Sequence, residues 1–160
     1  MSRIRHVSKI ATIAMVGLSM VSTALAAGDG HVMITPDEIE WRGGPASIPE
    51  GARAAVLHGD PGEEDLFALR LDLPPDYLIP PHHHPRPEIV TVISGTIHMG
   101  KGEDVDRDQG RTLSAGSFFV FPPGEAHYAF TRDEGAVIQL NSRGPWDLVY
   151  VDPDDDPRNR

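Results

Sequence analysis

Hydrophobic and polar residues alternate one by one along much of this chain, the period of a strand with one face buried. Phe67, Leu69 and Leu71 interleave with Ala68, Arg70 and Asp72, and Val90 and Val92 share the parity of Glu88. The pattern predicts short strands over 52–58, 67–72, 88–93, 96–99, 117–121, 127–131, 136–141 and 146–151. The breaks between them carry turn residues, such as Gly59-Asp60-Pro61-Gly62, Ser94-Gly95 and Pro122-Pro123-Gly124. Residues 31–34 read as a further short strand. After it, Thr35, Pro36 and Glu38 form a capping box that starts one helical turn. Many short strands with little helix predict an all-β fold, an antiparallel double-sheet jelly roll or small β-barrel. Within 96–99, Ile97 and Met99 face inward and His98 outward. Residues 101–110, KGEDVDRDQG, read as a solvated loop, and the acids and prolines of 153–160 as an extended surface tail.

Chemistry concentrates in two stretches. In Pro80 to Gly95, PPHHHPRPEIVTVISG, residues His82, His84 and Glu88 all occupy even positions. On an extended chain that parity sends them to one face and His83 to the other. Neutral imidazole and carboxylate are the ligands of borderline divalent metals, and flanking prolines lower the entropy of assembling them. A fourth ligand comes from the second stretch, 116–127, where a turn delivers His127 to the start of a strand.

Both stretches resemble the two conserved motifs of the cupin superfamily. The first is Gly, five residues, His-x-His, three or four residues, Glu, six residues, Gly; His82, His84, Glu88 and Gly95 stand at those spacings. Asp76 replaces the opening glycine. The second is Gly, five residues, Pro-x-Gly, two residues, His, three residues, Asn; Gly116, Pro122, Gly124 and His127 match, and Thr131 replaces the closing asparagine. The resemblance covers residues 64–142 and implies the jelly-roll barrel and one divalent metal ion held by His82, His84, Glu88 and His127. Iron, manganese, nickel and zinc all stay open. It further implies an oxidoreductase, dioxygenase-like, acting on a small organic molecule, with Glu88 also serving as a general base. The alternative is a non-catalytic cupin that binds a metal or small ligand. Phe67, Phe119, Phe121, Phe130 and Gln139 are candidate pocket walls, and a homodimer is expected, with 31–34 adding to the partner's sheet.

Arg3, Arg5 and Lys9 precede an apolar run that ends in Ala24-Leu25-Ala26, the pattern of a secretory signal peptide over 1–26 cut after Ala26. The expected mature protein is periplasmic or secreted and not held in a membrane, with one domain over 27–152. Removing the three basic residues of the leader takes the formal charge from −10 to −13, which disfavours nucleic acid as a partner. With no cysteine, disulfides and thiolate ligands are ruled out.

Overall fold

Side chains alternate between buried and open along the long strands, whereas His127–Phe130 is buried throughout, and Phe67, Leu69, Leu71, Val90 and Val92, which the sequence pattern turns inward, are all buried. The computed structural model describes residues 31–160; the leader and its cleavage site lie outside the described residues. In chain order the strands are β1 (Arg42–Gly43), β2 (Arg53–His58), β3 (Leu66–Leu73), β4 (Leu78–His83), β5 (Glu88–Lys101), β6 (Arg111–Ser114), β7 (Phe118–Phe121), β8 (His127–Phe130), β9 (Ala136–Arg143) and β10 (Val149–Tyr150). All described pairings are antiparallel. One sheet runs β1-β2-β3-β9-β5-β7 and the other β6-β5-β8-β4-β10. The two sheets form the double-layered jelly roll expected of the pattern.

The stretches 88–93 and 96–99 are not two strands, as the Ser94-Gly95 break suggested, but one of 14 residues that serves both sheets. Its first half pairs with β7 and β9, its second with β6 and β8. Between Val92 and Ser94 the ladder with β9 slips, and this bulge bends the strand from one sheet into the other. Gly95 completes the bend at φ 69°, where a Cβ would sit 2.0 Å from the Gly135 carbonyl oxygen. The extra residue also reverses the parity: Glu88, Val90 and Val92 face inward before it, Ile97 and Met99 after it. Val90, Val92 and Ile97 are at most 1% exposed, and burying aliphatic side chains of this size contributes about 1.5–3 kcal/mol each.

The two positions that depart from the motifs meet in space. Asp76 adopts φ 54°, the left-handed conformation for which glycine is the usual residue and which Asp tolerates better than most. Its backbone N–H donates to the Arg132 carbonyl at 2.8 Å. Next to it, the fully buried Thr131 hydroxyl donates to the Pro74 carbonyl at 2.6 Å and accepts the Tyr77 N–H at 2.9 Å. Thr131 therefore ties down the turn that Asp76 makes.

Three expectations need correction. Residues 31–34 are exposed and join no ladder, because an isolated run of apolar residues gains little without a neighbouring strand. Of 146–151 only Val149–Tyr150 is strand, since Trp146 and Leu148 are drawn into the core. The tail is not extended: Pro153–Asp155 and Pro157–Asn159 are two 3-10 turns, each capped by an aspartate that accepts a backbone N–H, Asp152 and Asp156. The capping box at Thr35 does begin a turn, a 3-10 one over Pro36–Glu38. The charged loop after β5 is mostly exposed but tethered, for the Tyr128 hydroxyl donates to the Asp106 carbonyl at 2.6 Å and accepts its N–H at 2.9 Å.

Candidate metal centre

His82 ends the ladder between β4 and β8, where it stands directly opposite His127. A register slip between Ile79 and His82 lets Ile79 face the core and still turns His82 inward. His84 follows one residue beyond β4, and Pro85-Arg86-Pro87 carries the chain to Glu88, the first residue of β5. His82, His84, Glu88 and His127 are 7% exposed or less, whereas His83 is only half-buried. Alternation accounts for His82, His83 and His84, but the chain bends at Pro85-Arg86-Pro87 between β4 and β5, so Glu88 reaches the same side through that bend and not along one extended strand. One ligand-type atom from each of His82, His84 and His127 lies within 4.8 Å of the others. Glu88 joins them from the side, with Oε2 3.2 Å from His127 Nε2 and Oε1 3.7 Å from His84 Nε2. His31, His58 and His98 stand outside this cluster.

Backbone carbonyls fix how each imidazole presents itself. The Nδ1–H of His82 donates to the Pro80 carbonyl at 2.6 Å, that of His84 to Asp147 at 2.8 Å and that of His127 to Glu125 at 2.8 Å. A carbonyl can only accept, so Nδ1 carries the proton and the Nε2 lone pair is free for the cluster. This is the arrangement that metal-ligating histidines use to lock tautomer and ring angle. Burial pushes the His82 imidazole well below its ordinary value, and the other histidines add to the effect. Burial lowers His84 as well, although the Glu88 carboxylate opposes part of that shift. Both rings are thus held neutral near pH 7.

His84 Nε2, His127 Nε2 and Glu88 Oε2 are buried with no hydrogen-bond partner. Lone pairs turned toward one another in an apolar pocket repel and lack solvation, a cost that a cation among them removes. The donor set therefore fits a divalent ion of the iron, manganese, nickel or zinc type, and three buried histidines can hold one.

Aromatic rings wall the cluster. Phe121 stacks on His127 with centroids 4.1 Å apart, and Trp146 stacks on His84 at 4.1 Å. The histidines open into a cavity of about 530 Å³ that Phe119 also borders. The other proposed walls lie elsewhere. Phe67 packs edge-on against Trp146, Phe130 lies under His98 on the far side of its sheet, and Gln139 accepts a hydrogen bond from Arg70 on an outer face. Trp146 was missed because no spacing links residue 146 to the motifs.

The C-terminal segment also reaches the site, through Arg158. Its guanidinium donates to the Asp147 carboxylate at 2.8 Å, to the Leu148 carbonyl at 2.9 Å and to Asp156. It thereby clamps the residue whose carbonyl orients His84.

Residues 69–141 match the Cupin domain family model, which spans β3 to β9 and contains all four clustered residues. This stretch is a cupin domain. Among curated relatives, germin-like protein 5-1 of Oryza sativa subsp. japonica is 43% identical over 105 residues, 62% of this chain and 46% of its own. Germin-like protein 1-1 of the same organism is 32% identical over 116 residues, 67% of this chain and 54% of its own. The chain spans about half, or less, of the length of these germin-like relatives. The polyketide cyclase RemF of Streptomyces resistomycificus superposes with a TM-score of 0.65 at 16% identity, covering 78% of this chain and 88% of RemF. The DMSP lyase DddQ of Ruegeria pomeroyi gives 0.57 at 20% identity, covering 78% and 73%. At such identities these two likenesses establish a shared fold alone.

Proposed function

We propose that this cupin binds one divalent metal ion through His82, His84, His127 and Glu88 and acts on a small organic molecule as a dioxygenase-like oxidoreductase outside the cytoplasm. The observation that carries the reading is the set of buried, unpartnered acceptor atoms at the inner end of a large cavity. A purely structural cluster has no use for the empty space beside it. Bound there, a divalent ion supplies Lewis-acid chemistry and, for iron, manganese or nickel, redox chemistry.

The chain's own residues have separate tasks. The three carbonyl-anchored histidines fix the centre, and Phe121 and Trp146 keep bulk water from its flanks. Glu88 is the one carboxylate in the cluster, placed at the cavity where it can take a proton from a substrate hydroxyl. Its attachment at the start of β5, after two prolines, limits its travel.

Metal analysis of the purified protein, followed by oxygen uptake with a panel of enolic and phenolic compounds, tests the reading. Metal at about one ion per chain and uptake that Glu88→Gln abolishes are expected. A metal-containing protein inert toward oxygen and every panel member would leave only the binding module.

A further inference from the structure

Resting on the assignment of the metal centre above, we infer that the cavity admits an uncharged, largely apolar ligand with a single chelating end, and rejects dicarboxylates, phosphorylated compounds and polyols. Inward-facing side chains from both sheets line it, including Leu69, Leu71, Ile79, Ile97, Ile138 and Leu140. All six are at most 8% exposed. Among the described residues, the only cationic side chain bordering it is that of Arg42, which lies 81% exposed and faces Glu40 at 3.4 Å. Arg42 thus belongs to the rim and is already paired.

A second charge on the ligand would find no counter-ion inside, and an unpaired carboxylate or phosphate against aliphatic walls loses its hydration without return. The acidic chain, and Glu40 and Asp147 at the cavity border, make the anion's position worse. Hydroxyl groups of a polyol meet the same walls with few acceptors, because the histidine Nδ1 groups and the Pro80, Glu125 and Asp147 carbonyls are mutually engaged. The chelating end belongs at the histidines, and the rest of the ligand lies along the sheets. About 530 Å³ leaves room for a body well beyond the chelating atoms.

Alkyl hydroxamic acids test this, since the chelating group stays constant while the body varies. The probes are aceto-, butano- and hexanohydroxamic acid and the monohydroxamic acid of adipic acid, which ends in a carboxylate. Their affinities are measured by calorimetry on zinc-loaded and metal-free protein. Binding should need zinc and tighten about fourfold per added methylene, the ratio that ~0.8 kcal/mol per buried methylene corresponds to. The carboxylate-ended compound should bind at least about 100-fold more weakly than hexanohydroxamic acid.

Equal affinity along the series, or equal binding of the carboxylate-ended compound, overturns the inference while zinc-dependent binding of acetohydroxamic acid still upholds the metal centre. Length-dependent binding that ignores zinc supports the apolar cavity and overturns the metal centre. No binding by any member to zinc-loaded protein overturns both.

Discussion

Replacing Arg158 by glutamine should weaken metal binding at a centre that Arg158 never touches. In the native chain the guanidinium holds the Asp147 carboxylate at 2.8 Å and the Leu148 carbonyl at 2.9 Å, and the Asp147 carbonyl in turn receives the His84 Nδ1–H. Glutamine is shorter and uncharged and keeps neither contact. The ion pair itself is worth little, because its side chains are 36% and 51% exposed and such pairs contribute about 0–1 kcal/mol. Adding the lost hydrogen bond, unfolding of the metal-free protein should become easier by about 1–2 kcal/mol. The effect on metal is of another kind, since a freed Asp147 carbonyl no longer fixes the angle of His84. Partners that hydrogen-bond directly to ligands are worth about 10- to 100-fold in affinity, and Arg158 acts one residue further out, so a loss of about tenfold is expected. Competition against a chromophoric zinc chelator measures it, with urea unfolding of the metal-free protein alongside. Arg158→Lys keeps the charge beside Asp147 and should recover part of the affinity. Native zinc affinity in a destabilised Arg158→Gln protein would refute the clamp and reduce the segment to a structural role.

His84→Ala should lower metal affinity by more than about 100-fold and His83→Ala hardly at all, as read by elemental analysis after dialysis; equal losses would mean that parity does not choose the ligands. Burial lowers the His82 and His84 values, so both rings stay neutral in the fold while the unfolded chain takes up protons near pH 6.5. Their contribution to stability is complete above pH 6.5 and is lost as pH falls through the lower folded values, so urea midpoints of the metal-free protein should drop from pH 7.5 to pH 5. A flat profile would contradict the burial. Thr131→Val keeps the shape but leaves the Tyr77 N–H and Pro74 carbonyl unpaired, and chemical denaturation should show a loss of about 1–3 kcal/mol.

What the sequence makes legible is whatever depends on period and spacing. Inward parity at His82 and His84, the jelly-roll strands and the delivery of His127 by the Pro122–Gly124 turn follow from such local rules, whereas Glu88 is brought alongside by the bend at 85–87. The long course of β5 does not, because Ser94-Gly95 reads equally as a turn or a bulge until β9 is known to pair through it and β6 to take over directly after it. Contacts between distant segments are less legible still. Trp146 stacks on His84, and the Asp147 carbonyl, which carries no side-chain signature, accepts from His84 across a separation of 63 residues, while Arg158 holds the Asp147 carboxylate. The tail's composition predicts solvation correctly and its conformation wrongly, since aspartate caps can build 3-10 turns without burying anything.

Because β5 is a member of both sheets, neither sheet can peel away without breaking part of its ladder. Its first residue, Glu88, belongs to the candidate metal centre and pairs with Phe121, and its last, Lys101, pairs with His127, so both ends of one strand border that centre. Opening therefore has no cheap partial form: backbone amides at Val90 and at Met99, on opposite sides of the bulge, belong to one cooperative unit and should exchange with solvent deuterium through the same slow event.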